Sequence, residues 1–257
     1  MSSDSRPFLP GPGGRTEAAR VLVVLGAYGS GKSEVAVNLA LRLRQGSDDV
    51  TLVDLDTINP YFRSADARAR LEASGVRVVA PSTAGTNVDV PAVPAEVMSV
   101  FDGTGSAVLD IGGEDMGARV VSSFRSRLSG PDVVVLMVVN CNRPFTADAE
   151  RISAMAAELS AAAGLPIDGF VDNTNLLGYS DARMLLDSLP TLGEASRTSG
   201  IPVAFAAAVS GTCRSNGATR CPTARRCSGW SACSATLTRR IRGTPDPPAR
   251  RWKSRTR

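Results

Sequence analysis

The 257-residue chain contains no histidine. Imidazole acid/base chemistry, a Ser-His-Asp triad and a His-ligated zinc enzyme are therefore excluded. Any catalysis has to rest on carboxylates, lysine, a hard cation and positioned water. Aromatic residues are also scarce, at 5%. The apolar content is mostly Val, Leu and Ala, which suits parallel strands covered by helices on both faces. No run of about 18 apolar residues occurs, so no membrane span is expected. The first twenty residues, MSSDSRPFLPGPGGRTEAAR, are polar and rich in Pro and Gly, with no apolar core of the kind a secretory signal needs. A disordered lead over 1–19 and a cytoplasmic location are the expectations.

Charge is divided unevenly. From Thr212 to Arg257 there are 11 Arg and 1 Lys against the single Asp246, a net of +11. The whole chain has 29 basic and 25 acidic residues, so residues 1–211 hold 17 and 24, a net of −7. The body thus reads as a mildly acidic globular domain and not as a nucleic-acid binder.

Strand and helix signals alternate through that body. Arg20–Leu25 is a buried-strand run closed by Gly26, and Val35, Leu39 and Leu43 mark one face of a helix ending near Gly46. Further strands are expected at Val50–Val53, Val76–Ala80, Ala107–Ile111, Val133–Val139, Ile167–Val171 and Ile201–Ala208. Helices are expected at Ala65–Ala73, Pro94–Phe101, Glu114–Leu128, Ala147–Ala163 with Thr146 as its N-cap, and from a Ser180 cap through Leu189. This order predicts one α/β domain over 20–210, a doubly wound parallel sheet of about seven strands.

The segment Gly26-Ala27-Tyr28-Gly29-Ser30-Gly31-Lys32-Ser33 satisfies G-x-x-x-x-G-K-[ST] at every position, between a strand and an amphipathic helix. Each residue type has a job in holding a nucleoside triphosphate. The glycines permit positive φ, so that backbone N–H groups turn toward a phosphate, and the helix N-terminus adds to the field. Lys32 is a point charge for the β- and γ-phosphates, and Ser33 offers a hydroxyl to Mg²⁺.

Ligands of α/β sheets sit at the carboxyl ends of strands. Two strands deliver acids there, in Val53-Asp54-Leu55-Asp56 and in Val108-Leu109-Asp110-Ile111-Gly112-Gly113. Asp110 is expected in the Mg²⁺ shell, and the Gly113 N–H is placed to meet a γ-phosphate from a switch loop. Alternation puts Asp54 and Asp56 on one face, both within reach of the site.

The stretches GAYGSGKS, LVDLDTINPYFRS, VLDIGGED, VVNCNRP and FVDNTNL together resemble the CobQ/CobB/MinD/ParA-type nucleotide-binding proteins, of the SIMIBI class of P-loop NTPases. The resemblance spans about residues 20–208. It implies ATP with Mg²⁺, Asp56 as the residue that orients or activates the attacking water, Asp54 and Asp110 in the Mg²⁺ shell, and Asn173 as the reader of adenine, with Asn140 a weaker candidate. Many MinD and ParA proteins carry a second lysine early in the loop that reaches a partner's nucleotide. Ala27 occupies that position here, which argues against a lysine-bridged dimer. Neither Asn140-Cys141-Asn142-Arg143 nor Asp172-Asn173-Thr174-Asn175 supplies the Lys–Asp pair by which GTPases specify guanine, so ATP is favoured.

After Gly211 apolar periodicity vanishes, and Arg, Ser, Thr, Cys and Pro dominate. Four of the five cysteines lie here (Cys213, Cys221, Cys227, Cys233), at intervals too wide for the paired ligands of a zinc site. The composition matches out-of-frame translation of GC-rich DNA. The expectation for 211–257 is a disordered basic tail that binds nucleic acid only nonspecifically. Three functions fit the body. One is an ATPase switch read by a protein partner; another is an ATP-dependent kinase or ligase with Arg63, Arg119 or Arg143 lining an acceptor site. The third is a nucleotide-binding module without useful turnover.

Overall fold

The computed structural model describes residues 19–55, 65–80, 95–112, 114–176, 179–180 and 182–207. Expectations placed on the lead before residue 19, on Asp56, on Gly113 and on the tail from 211 lie outside the described residues.

Seven strands form one sheet: β1 (Val21–Gly26), β2 (Val50–Leu55), β3 (Val76–Val79), β4 (Ser106–Ile111), β5 (Val133–Val139), β6 (Gly169–Asp172) and β7 (Val203–Ala206). They run in the order β3-β2-β4-β1-β5-β6-β7, and every neighbouring pair is parallel. Among the described residues six α-helices cover the sheet: α1 (Lys32–Leu43), α2 (Ala65–Ala73), α3 (Ala95–Asp102), α4 (Glu114–Ser122), α5 (Ala149–Ala163) and α6 (Ala182–Ser199). This is the doubly wound α/β architecture expected from the alternation of periodicities.

The cause is visible in β1, all six residues of which are buried. Val21, Val23 and Leu25 join a core layer with Ile152, Leu159 and Leu192 of α5 and α6, while Leu22 and Val24 join the opposite layer with Val35, Leu39 and Leu43 of α1. Alternating side chains thus feed two cores, which only a centrally placed strand can do. The chain moves outward from β1 on one side as far as β3, returns to β4, and then crosses to β5 on the other side. The reversal occurs at β1, so the crevice at its carboxyl end is the topological switch point.

Several boundaries differ from expectation, three of them at helix ends. The first helix after β5 is capped by Asp148, whose carboxylate accepts from the Arg151 N–H at 2.9 Å. Thr146 is instead buried in a short 3-10 turn, Pro144–Thr146, and its hydroxyl donates to the Asn140 carbonyl at 2.7 Å. The helix begun at Glu114 stops at Ser122, and a separate 3-10 turn covers Arg125–Arg127. The last helix runs on through Pro190 to Ser199. Pro190 removes one helix hydrogen bond, and burial of Leu192 and Ala195 beyond it offsets the loss.

Candidate functional site

The loop from Gly26 to Ser33 sits at the switch point. Gly26 has φ 149°, and a Cβ there would stand 2.5 Å from the Val138 carbonyl oxygen of β5. Only glycine lets the chain leave β1 this close to its neighbour. Gly31 has φ 89° and occupies the N-cap position of α1 with no side-chain cap, leaving the helix N-terminus to an outside acceptor. Lys32 is only 6% exposed, and its Nζ donates to the Ala27 carbonyl at 3.0 Å; the Ser30 N–H donates to the same oxygen at 3.2 Å. The ammonium is therefore folded over the loop it belongs to. Among the described residues, buried Ser30 Oγ finds no hydrogen-bond partner. Such a hydroxyl is costly in a folded protein, and a phosphate oxygen in the loop offers it an acceptor.

One strand over, Asp110 of β4 is paired in register with Val24 of β1 and, on its other side, with Asp54 of β2. Asp110 is 5% exposed and Asp54 half-buried. Like charges directly opposite on adjacent strands repel. Paired carboxylates of this kind are hard oxygen donors of the type that suits Mg²⁺, which is held by one or two carboxylates plus substrate phosphates. Among the described residues no group of three or more His, Cys, Asp or Glu gathers. Two carboxylates are the number that Mg²⁺ commonly takes from a protein when a phosphate chain completes its shell.

The loops after β5 and β6 close the other side. Asn173 is 5% exposed and its Nδ2 donates to the Ser30 carbonyl at 2.7 Å. Arg143 Nε donates to the preceding carbonyl, Gly29 O, at 3.1 Å. The two loops are tied to each other as well. Asn140 Nδ2 donates to Asn175 O at 3.1 Å, and the Cys141 N–H donates to Thr174 Oγ1 at 3.1 Å. Asn140 thereby fastens one loop to the other, its Oδ1 accepting from the Asn142 N–H at 3.0 Å. At the carboxyl end of β6, fully buried Asp172 uses both carboxylate oxygens. Oδ1 accepts from the Thr174 N–H at 3.0 Å, and Oδ2 accepts from the Ser188 hydroxyl of α6 at 2.7 Å. Burial raises the Asp172 carboxyl above its ordinary value, against these hydrogen bonds. Burial likewise pushes the Cys141 thiol up to about 11, with Asp172 adding to the rise.

The fold thus brings together the phosphate loop, Asp54, Asp110 and Asn173, which are scattered over about 150 positions of sequence. Arg143 was read as a candidate for an acceptor site, and the structure places it on the phosphate loop. Asp172 and Ser188 had no role in the sequence reading. The D-x-T spacing at 172–174, which favours a side-chain turn, was the signal available.

No protein-family model and no curated protein matches the chain. Among solved structures, the cell division protein FtsY of Thermotoga maritima is similar with a TM-score of 0.51 and 18% identity, over 77% of this chain and 64% of that one. FlhF complexed with GTP and Mg²⁺ has a TM-score of 0.49 at 12% identity, over 75% and 66%. The 54 kDa signal recognition particle protein of Aeropyrum pernix K1, in complex with GDP, has a TM-score of 0.48 at 20% identity, over 74% and 41%. The chain spans less than two thirds of the length of each. What is shared is the fold, a parallel α/β sheet covered by helices.

Proposed function

We propose that this chain is a Mg²⁺-dependent ATPase switch, a SIMIBI-class protein of the CobQ/CobB/MinD/ParA type, whose nucleotide state is read by a protein partner in the cytoplasm. The observation that carries the reading is the loop itself: positive-φ Gly31 at an uncapped helix N-terminus, followed by buried Lys32. In this reading the N-terminus of α1 and Lys32 bind the triphosphate, and Ser33, Asp54 and Asp110 hold Mg²⁺. The cation supplies neutralisation of phosphate charge when bound. Asp56 orients the attacking water, and the Gly113 N–H meets the γ-phosphate.

ATP is preferred on the chemistry of the base loop. Guanine presents two N–H donors that call for a carboxylate, and the position three residues after Asn173 is Leu176. The acid that is nearby, Asp172, has both oxygens engaged by Thr174 and Ser188. Asn173 contributes to the adenine site in this reading. Ala27, 0% exposed in place of a second lysine, supports a protein without a lysine-bridged dimer.

The partner is supported by a distribution. Among the described residues, the exposed large hydrophobics are Tyr28, Phe145, Leu176 and Tyr179. All four lie on loops after β1, β5 and β6, around the proposed nucleotide site. Apolar side chains exposed there suit a surface recognised according to what the loops hold.

Phosphate release from ATP with Mg²⁺, set against the Lys32→Ala variant and against GTP, tests the reading. Turnover lost in the variant and lower with GTP supports it. Turnover that starts only when a metabolite is added replaces the switch with a kinase or ligase, and binding without turnover replaces it with a passive nucleotide-binding module.

A further inference from the structure

We infer that Asp172, buried at the carboxyl end of β6, is a positioning residue that sets the shape of the phosphate loop through Asn173. The inference rests on the nucleotide-site reading and names how that site is held in shape.

The geometry is a chain of single contacts. Ser188 of α6 donates to Asp172 Oδ2, and Asp172 Oδ1 accepts from the Thr174 N–H. Both ends of the residue between them are therefore constrained, and that residue is Asn173. Its own backbone N–H donates to Val139 O of β5 at 2.8 Å, its carbonyl accepts from Asn175 Nδ2 at 2.7 Å, and its side chain donates to Ser30 O. Asn173 has no remaining freedom to turn away without breaking one of these contacts.

The consequence for the loop follows from peptide planarity. In a trans peptide the C=O and the next N–H point in opposite directions. Holding Ser30 O against Asn173 therefore aims the Gly31 N–H to the opposite side of that peptide. The fit is close: a Cβ on Gly31 would stand 2.2 Å from Asn173 Nδ2. A loop that binds anions by backbone N–H groups works only if those groups are already aimed, since reorganising them costs affinity. Asp172 supplies the aim at second hand. An aspartate is suited to this because its two acceptors serve α6 and the turn at once, whereas alanine serves neither.

The chemistry also identifies a conservative replacement. In Asp172→Asn the remaining carbonyl oxygen can still accept from Thr174. The new Nδ2 can donate to Ser188 Oγ, whose own proton already has an alternative acceptor in Leu185 O at 3.0 Å. Asn is thus expected to rescue what Ala removes.

The test is a double-mutant cycle on the affinity of the full chain for Mg²⁺-ATP, joined to hydrogen exchange of the peptide covering residues 26–33 in ligand-free protein. Asp172→Ala and Asn173→Ala should each weaken binding about tenfold, the scale of one lost hydrogen-bonded contact at a preorganised site. The double variant should be no weaker than Asn173→Ala alone, because Asp172 acts through Asn173. Asp172→Asn should stay within about threefold of the original affinity. Loop exchange should quicken in both single alanine variants. A purely structural role would lower the melting temperature of Asp172→Ala without moving the affinity of the folded protein. That outcome, or losses that multiply in the double variant, overturns the inference. If Asp172→Ala does not fold, Ser188→Ala takes its place, and unchanged affinity together with unchanged loop exchange in that variant overturns it. Failure of the original chain to bind any nucleotide would defeat the functional reading, and the exchange measurement would still decide the linkage.

Discussion

Asp54 and Asp110 stand in direct register on β2 and β4, two carboxylates side by side next to the strand that leads into the phosphate loop. Neighbouring strands are about 4.8 Å apart, close enough for one cation to serve both acids and far too close for two bare charges to be indifferent to each other. The pairing is between residues 56 positions apart in sequence, and it sets two separate strand ends side by side.

Neutralising Asp110 should therefore act on metal-dependent turnover. Asp110→Asn is expected to lower Mg²⁺-stimulated ATP hydrolysis about 100-fold, the scale on which one preorganised electrostatic group acts. Asp54→Asn should raise the Mg²⁺ concentration needed for half-maximal rate. Titrating Mg²⁺ at fixed ATP checks both, and a wild-type curve for Asp110→Asn would remove it from the site.

Lys32 presently donates to Ala27 O, and a triphosphate would compete for its ammonium. Lys32→Ala is expected to weaken ATP binding about 100-fold, while the far-ultraviolet circular dichroism spectrum stays unchanged. Calorimetric titration provides the measurement. Undiminished affinity would count against the phosphate-loop assignment.

Gly31→Ala should be the most damaging small change in the loop. It would place a non-glycine residue at φ 89° and a Cβ 2.2 Å from Asn173 Nδ2. The conformation alone costs about 1–3 kcal/mol, and the clash would displace Asn173. Adding Asn173→Ala relieves the clash and leaves the backbone cost, so ATP affinity should not recover in the double variant. Full recovery would show that φ is not the constraint.

Asp172 makes stability depend on pH in a direction opposite to most aspartates. Its folded value lies above the ordinary 3.8, so the folded state keeps a proton that the unfolded state has already lost. Stability from this group is therefore greatest below 3.8 and falls as pH rises toward the folded value, with a slope of at most about 1.4 kcal/mol per pH unit. Asp172→Asn lacks the titration. The difference in unfolding free energy between the two proteins should shrink in that window, and urea melts at several pH values check it. A difference independent of pH would refute the raised value.

Cys141 should be a slow thiol. With its value pushed up from 9.0 to about 11, it is almost wholly protonated near neutrality, and the thiolate is the reactive form. Iodoacetamide labelling at Cys141, followed by peptide mass spectrometry of folded protein, should rise steeply only as pH approaches 11. Between 9 and 11 the unfolded chain loses this proton first, so stability falls across the same interval. Fast labelling at pH 8 would contradict the buried setting.

Legibility differed by element for physical reasons. β1 and β5 were read closely because strands buried on both faces must be continuously apolar. Helix ends were read less well. Thr146 and Asp148 are both good caps, and the choice fell to Asp148 because the Thr146 hydroxyl was needed on Asn140 O. The last helix was expected to end at Leu189, yet buried Leu192 and Ala195 carry it on past Pro190.

By itself the sequence determined the alternating architecture and the phosphate loop, since both are local: periodicity within an element, and eight consecutive residues whose backbone freedom and charge suit a phosphate chain. Only tertiary structure decided that Asp54 would lie against Asp110, that Asn173 and Arg143 would hold consecutive carbonyls of the loop, and that a buried aspartate would brace Asn173. Those contacts join residues more than fifty positions apart, or depend on which of several acceptors a side chain finds once the strands are ordered β4-β1-β5-β6. No local preference encodes that order; it comes from packing six helices on two faces of one parallel sheet.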